Sequence, residues 1–249
     1  MNQITPIKDS IVFFWVGERT EIPQILVNSI RLVMGDEINV VQLSNNSTNE
    51  IKGVNEVKRF KLSNQIMIAR LEAYSQYVPK TDNTFFCDAD CIFINKLRLP
   101  ENNSKKIFLS PRPKDFNINH AYPEYYEEFV GKSVNQVMPF LFCAIATKDN
   151  QQFFFETLLE TCIKLPERFH RWYGDQYALF LESKDKLDNF LLLEPNIYLH
   201  EIKKSLTPSY LEKSYNEGIQ MFHFKGPHSK IFQEHALMLL NFFYKKLNI

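Results

Sequence analysis

An α/β fold on a mostly parallel central sheet is the architecture this sequence predicts, and three observations predict it. Short apolar runs alternate with stretches of helical period through the N-terminal third of the chain. The runs are apolar at nearly every residue, which marks strands covered on both faces, as in parallel sheets. A pair of acidic residues interrupts one such run at a strand end, where ligands of doubly wound sheets bind.

The elements follow in order. Residues 11–17 read as a first strand. A helix over 23–34 carries Ile25, Leu26, Ser29, Ile30 and Val33 on one face, with Pro23 in its first turn. Residues 38–43 are a second strand, 45–49 a polar turn and 54–60 a third short strand. A helix over 63–77 places Ile66, Ala69, Ala73 and Tyr77 on one stripe and closes before Pro79. The strand over 84–94 holds the acidic pair. Further strands are expected over 106–109, 138–147, 190–193 and 197–199, and helices over 151–164, 172–181 and 235–247. Residues 111–135 are aromatic and acidic, and read as a long excursion over the ligand face. Without an internal repeat or linker, residues 1–249 are expected to form one domain.

Composition narrows the function. Lys plus Arg number 29 and Asp plus Glu number 29, so no basic excess marks a nucleic-acid partner. The 22 Phe and 11 Tyr suit a packed core. Only 7 Gly are present, and neither phosphate-loop glycine signature occurs. The 4 cysteines form no Cys-x-x-Cys pair and read as buried free thiols in a reducing compartment. No apolar run approaches the roughly 20 residues of a membrane span. The run at 11–16 lies between Asp9 and Glu18-Arg19, and reads as a strand rather than a signal peptide. A cytoplasmic protein is the expectation.

The segment Phe86-Cys87-Asp88-Ala89-Asp90-Cys91-Ile92 carries the chemistry. On a strand, Asp88 and Asp90 point the same way. Two aligned carboxylates in an apolar segment repel and lose hydration, and a hard divalent cation, Mg²⁺ or Mn²⁺, relieves both costs. The competing reading is two solvated acids in a loop between two short strands. A second segment, Met221-Phe222-His223-Phe224-Lys225-Gly226-Pro227-His228-Ser229-Lys230, offers an imidazole after an apolar run. Gly226 permits close backbone approach, and Lys225 and Lys230 suit a diphosphate. Taken alone, a histidine at a strand end is more often structural than ligating.

Together the two segments resemble the GT-A glycosyltransferases, and most nearly family eight, the glycogenin and lipopolysaccharide-galactosyltransferase type. The resemblance implies that Asp88, Asp90 and His223 hold the metal and that Gly226 and Lys230 meet the donor diphosphate. It departs where Ile231 and Phe232 replace the family's Pro-Trp. Arg70 matches a donor-contacting arginine on the preceding helix, against the alternative of a surface arginine. Asp175 and Gln176 match an Asp-Gln pair near the reacting sugar, against a helix-capping aspartate. Phe14-Trp15-Val16-Gly17 is similar to bacterial capsule and lipopolysaccharide transferases, in which the end of the first strand meets the nucleotide base, and this implies that role for Trp15 and Val16.

The resemblance further implies a single GT-A domain, with 1–95 as nucleotide-binding half and 96–249 as acceptor-binding and C-terminal half. Its partners are a nucleotide-sugar donor, favoured as a UDP-sugar, and a glycan or lipid-linked saccharide acceptor, with retention of configuration. Phe116, Tyr122, Tyr125 and Tyr126 suit either stacking on acceptor sugars or plain packing. The helix at 235–247, ending in Lys245 and Lys246, either packs on the sheet or makes peripheral membrane contact. Two other functions stay open. A sugar-nucleotide nucleotidyltransferase would need a better glycine-rich loop than Gly17-Glu18-Arg19-Thr20. A non-catalytic carbohydrate- or nucleotide-binding protein would not need the full acid and histidine set.

Overall fold

The structure is a computed structural model describing residues 9–100, 104–113, 126–194, 197–198, 200–202, 206–224 and 229–247. The chain opens with β1 (Asp9–Phe14), α1 (Glu21–Met34), β2 (Asn39–Ser44), β3 (Glu56–Arg59), α2 (Ile66–Gln76) and β4 (Asn83–Cys87). It continues with β5 (Cys91–Phe93), β6 (Ile107–Pro111), α3 (Val134–Val137), β7 (Phe140–Lys148), α4 (Gln152–Lys164) and α5 (Glu167–Arg171). Then come α6 (Gly174–Ser183), β8 (Phe190–Leu192), β9 (His200–Ile202), α7 (Pro208–Asn216), β10 (Met221–Phe224) and α8 (Ser229–Leu247).

The central sheet runs β3-β2-β1-β4-β7-β6-β8. Strands β1 to β4 pair in parallel, β7 is antiparallel to both β4 and β6, and β8 is parallel to β6. A small second sheet runs β5-β10-β9. The mostly parallel α/β architecture thus stands as the sequence predicts.

Both sheet faces are covered, which explains the unbroken apolar runs. On β1, Ile11 and Phe13 enter one core with Leu26, Val27 and Ile30 of α1, while Val12 and Phe14 enter another with Tyr74 of α2 and Leu158 of α4. Burying a side chain of this size stabilises the fold by about 1.5–3 kcal/mol. Tyr74 sits among Phe86, Phe142 and Phe155, with ring centroids 4.8, 5.9 and 5.3 Å away. Its burial pushes the phenol well above its ordinary pKa. The helix α1 ends at Gly35, whose φ of +58° favours glycine, and Arg31 donates to the carbonyls of Gly35 and Ile38 at 2.8 and 3.1 Å.

Several expectations need correction. The helix at 66–76 does not bury one stripe: Met67, Ile68, Leu71 and Tyr74 are buried beside Ala69 and Ala73, whereas Ile66 is 38% exposed. It lies between the sheet and α4, so most of its circumference is enclosed. The expected strand at 84–94 is two strands in different sheets. The expected strand at 197–199 is absent at Ile197 and Tyr198, and β9 forms just beyond them. The helices α5 and α7 were not expected; α7 opens with Thr207 as cap, its Oγ1 accepting from the Tyr210 amide at 3.2 Å.

Residues 114–125, with Phe116, Tyr122 and Tyr125, lie outside the described residues. Tyr126 packs with Phe129, Phe169 and Tyr173, the packing alternative of the sequence reading. The helix α8 begins earlier than expected and packs through Ala236, Leu239 and Phe242 beside Leu211 of α7. Its Lys246 is taken up by Glu212 at 3.4 Å and lies 5.2 Å from the Tyr215 ring centroid. Among the described residues, no helix is long and apolar enough to cross a membrane.

Candidate active site

The site begins where β4 ends. Parallel strands share their carboxyl ends, and Phe13 of β1 is in register with Cys87, the last residue of β4. Past this edge the chain runs Asp88-Ala89-Asp90 out of the central sheet and enters the small sheet at Cys91. The two acids therefore sit in the crossover between sheets, so strand alternation is not what aligns them.

The partner strand does the aligning instead. Strand β10 runs antiparallel to β5 with His223 opposite Cys91, and the Phe224 amide donates to the Asp90 carbonyl at 3.1 Å. This register sets His223 Nε2 3.3 Å from Asp90 Oδ1 and 3.8 Å from Asp88 Oδ2. The imidazole is buried, while both carboxylates keep partial access to solvent. Burial acts against charge on His223 and is the largest single influence. Cys143 and Asp90 together outweigh it, and the pKa rises well above the ordinary histidine value.

Arg70 joins this pair to a second cluster. Its Nη1 donates to Asp88 Oδ1 at 2.6 Å, and its Nη2 forms an ion pair with Asp175 Oδ2. The guanidinium also lies over the Phe142 ring, 4.7 Å from the centroid. Its Nε is buried with no hydrogen-bond partner among the described residues. Arg70 is thus no surface arginine, because α2 has so little free surface to place it on.

Asp175 is fully buried in the first turn of α6, and its Oδ1 accepts from the Gln176 amide at 2.7 Å. It is not the helix cap; Tyr173 holds that position, with a φ of +65°. Gly174 makes the approach feasible. A Cβ there would lie 2.9 Å from Cys162 Sγ and would also collide with the Phe169 carbonyl oxygen. Gln176 Oε1 accepts from Arg112 Nη2 at 2.6 Å, and Arg112 Nε donates to the Met138 carbonyl at 3.0 Å. Because arginine only donates, this contact fixes which end of the Gln176 amide faces Arg112.

Trp15 and Val16 continue from β1 on the same edge. The Trp15 amide donates to the Leu43 carbonyl at 3.0 Å and its indole to the Arg19 carbonyl at 2.7 Å. Lys225 and Gly226 lie outside the described residues, and Lys230 enters as a backbone position in α8. Sequence reasoning missed Arg112 and Cys143, whose Sγ lies 3.7 Å from His223 Nδ1. All four cysteines are free and buried, as expected. Burial pushes the Cys87 and Cys91 thiols well above their ordinary pKa.

Comparison with solved structures assigns the architecture. The galactosyltransferase LgtC, in complex with donor and acceptor sugar analogs, is 14% identical, with a TM-score of 0.59 over 95% of each chain. The fold is that of the GT-A glycosyltransferases. An active-site glutamine variant of LgtC gives a TM-score of 0.57 at 14% identity over 94% of each chain. The apo form of the glycosyltransferase GlyE from Streptococcus pneumoniae TIGR4 gives 0.55 at 16% identity, over 98% of this chain and 64% of its own. No family model matches the sequence, and no curated protein matches it.

Proposed function

We propose that the protein is a metal-dependent glycosyltransferase. It moves a sugar from a nucleoside-diphosphate donor, a UDP-sugar, to a hydroxyl of a glycan or lipid-linked saccharide, with retention of configuration. The observation that carries this reading is the meeting of Asp88 and Asp90, in the crossover between the two sheets, with His223 of β10, within a GT-A fold. LgtC, the similar structure in complex with donor and acceptor sugar analogs, supports the same class of partners.

The charges fit a divalent cation. Among the described residues, Asp88, Asp90 and Asp175 bring three carboxylates to one guanidinium, that of Arg70, and Cys143 and Asp90 together hold the pKa of His223 up against its burial. Asp88, Asp90 and His223 Nε2 would hold Mn²⁺ or Mg²⁺. When bound, the ion supplies Lewis-acid neutralisation of the departing diphosphate. Arg70, its fork held by Asp88 and Asp175, would contact the donor, and Asp175 acts through Arg70 by holding it in place. Gln176 lies near the reacting sugar, Lys225, Gly226 and Lys230 serve the diphosphate, and Trp15 and Val16 meet the base.

Incubation with Mn²⁺ and labelled nucleotide sugars tests the reading. Slow, metal-dependent hydrolysis of one donor is the expected result. Pyrophosphate exchange would favour a nucleotidyltransferase, and binding without turnover would favour a non-catalytic protein.

A further inference from the structure

His223 faces two kinds of donor with its two nitrogens. Nε2 faces oxygen: Asp90 Oδ1 at 3.3 Å and Asp88 Oδ2 at 3.8 Å. Nδ1 faces sulfur: Cys143 Sγ at 3.7 Å, buried on β7. The strand register adds further thiols, since Cys87 pairs beside Cys143 at Ala144 and Cys91 pairs with His223 itself. A carboxylate oxygen of Asp88, the Cys143 sulfur and a ring nitrogen of His223 all lie within 4.8 Å of one another. In a tetrahedral zinc site, with Zn–S about 2.3 Å and Zn–N about 2.0–2.1 Å, sulfur and nitrogen ligands stand about 3.5 Å apart. The Cys143–His223 separation is already close to that spacing.

We propose a second, thiophilic metal site on the buried side of His223, in which Zn²⁺ is held by Nδ1, the Cys143 thiolate and Asp88. It rests on the reading of Asp88, Asp90 and His223 as a cation site and adds a competitor to it. A neutral imidazole has one lone pair, so the ring binds a metal on one side at a time, and Asp88 serves both sides. Occupation of the two sites is therefore mutually exclusive. Thiolate selects a borderline ion such as Zn²⁺, while the carboxylate-rich side, with Nε2 its one nitrogen, suits Mg²⁺ or Mn²⁺. With metal on Nδ1, Nε2 keeps its proton and donates it to Asp90, the outer carboxylate partner that metal-bound histidines commonly have. On binding, the S–H bond and the Nδ1–H bond of the protonated ring break, S–Zn and N–Zn bonds form, and both protons leave to solvent.

Titration of the full chain with Co²⁺, an optical stand-in for Zn²⁺, tests this together with Zn²⁺ competition against Mn²⁺ followed by electron paramagnetic resonance. The expected result in the wild type is a near-ultraviolet thiolate-to-cobalt charge-transfer band. In Cys143→Ser the band disappears, and Zn²⁺ affinity falls at least about tenfold, with a smaller loss for Mn²⁺. Visible cobalt bands without charge transfer would remove Cys143 from the ligand set while leaving the oxygen-side cation site intact. Equal losses for Zn²⁺ and Mn²⁺ would make Cys143 only an outer partner of His223, and overturn the proposal. A band that survives Cys143→Ser and vanishes in Cys91→Ser would overturn the Cys143 assignment. No Co²⁺ uptake by folded wild-type protein would sink the cation-site reading itself.

Discussion

The two acids of the crossover lie two residues apart and live in different electrostatic worlds. Asp88 is tied to Arg70, and Arg70 in turn holds the fully buried Asp175. Asp90 instead faces His223, whose charge depends on pH. On the Arg70 side, the cation is already paired within the fold, and losing a partner should cost stability. On the Asp90 side, balance is left to a proton or an ion, and its loss should cost function.

The largest effect is expected from Asp175→Asn. It leaves Arg70 buried against one carboxylate instead of two, and breaking a buried pair costs about 3–5 kcal/mol. Urea denaturation should show an unfolding free energy lowered by up to that amount, with turnover falling as well. A midpoint near wild type would mean that Asp88 alone satisfies the guanidinium, and the contrast between the two clusters would shrink.

Asp90→Asn should do the reverse. Removing a metal ligand should lower turnover by at least about a hundredfold. The folded state should keep its melting temperature or gain slightly, because a carboxylate facing another is relieved. Initial rates at saturating donor, with Mn²⁺ varied, are the measurement. Near-normal rates with an unchanged Mn²⁺ requirement would remove Asp90 from the ligand set.

These two clusters were unequally legible in the sequence. The alternation of buried strands with helices announced the sheet, since periodicity is local. The Asp pair and His223 were visible because rare residue types stood inside apolar runs. Their alignment was misread, because it depends on β5 leaving the central sheet and pairing with β10, a register no local pattern encodes. Arg70 looked like a plausible surface residue until α2 proved enclosed on most sides. Cys143 looked like core and is core, yet it also touches His223. Arg112 was hidden by its place just past β6, where only the fold brings it to Gln176.

Gly174→Ala sharpens the comparison from the backbone. The added Cβ meets Cys162 Sγ at 2.9 Å and the Phe169 carbonyl, so the start of α6 must shift. Overpacking of this kind costs about 1–3 kcal/mol. Asp175 and Gln176 would move with the helix, while Asp88, Asp90 and His223 belong to other elements. Mn²⁺ affinity should therefore hold while stability and donor turnover fall. Loss of Mn²⁺ affinity in this variant would show that the two clusters are one mechanical unit.

The smallest effect is a slope in stability against pH. The pKa of His223 is raised in the folded state, so its protonated form stabilises the metal-free protein fully below the unfolded value, about 6.5, and that contribution is lost as pH rises through the folded value. With Mn²⁺ bound the sign reverses, because the ligand form of histidine is neutral and protons compete with the ion. Thermal melts from pH 6 to 9 with chelator should therefore lose stability as pH rises (about neutral to alkaline is the informative half). The same melts with excess Mn²⁺ should gain stability over the acid part of the range. His223→Gln should flatten both curves, whereas Asp175→Asn should lower them and leave their slopes in place. Parallel slopes in wild type and His223→Gln would assign the titration to another group and remove the proton from the balance around Asp90.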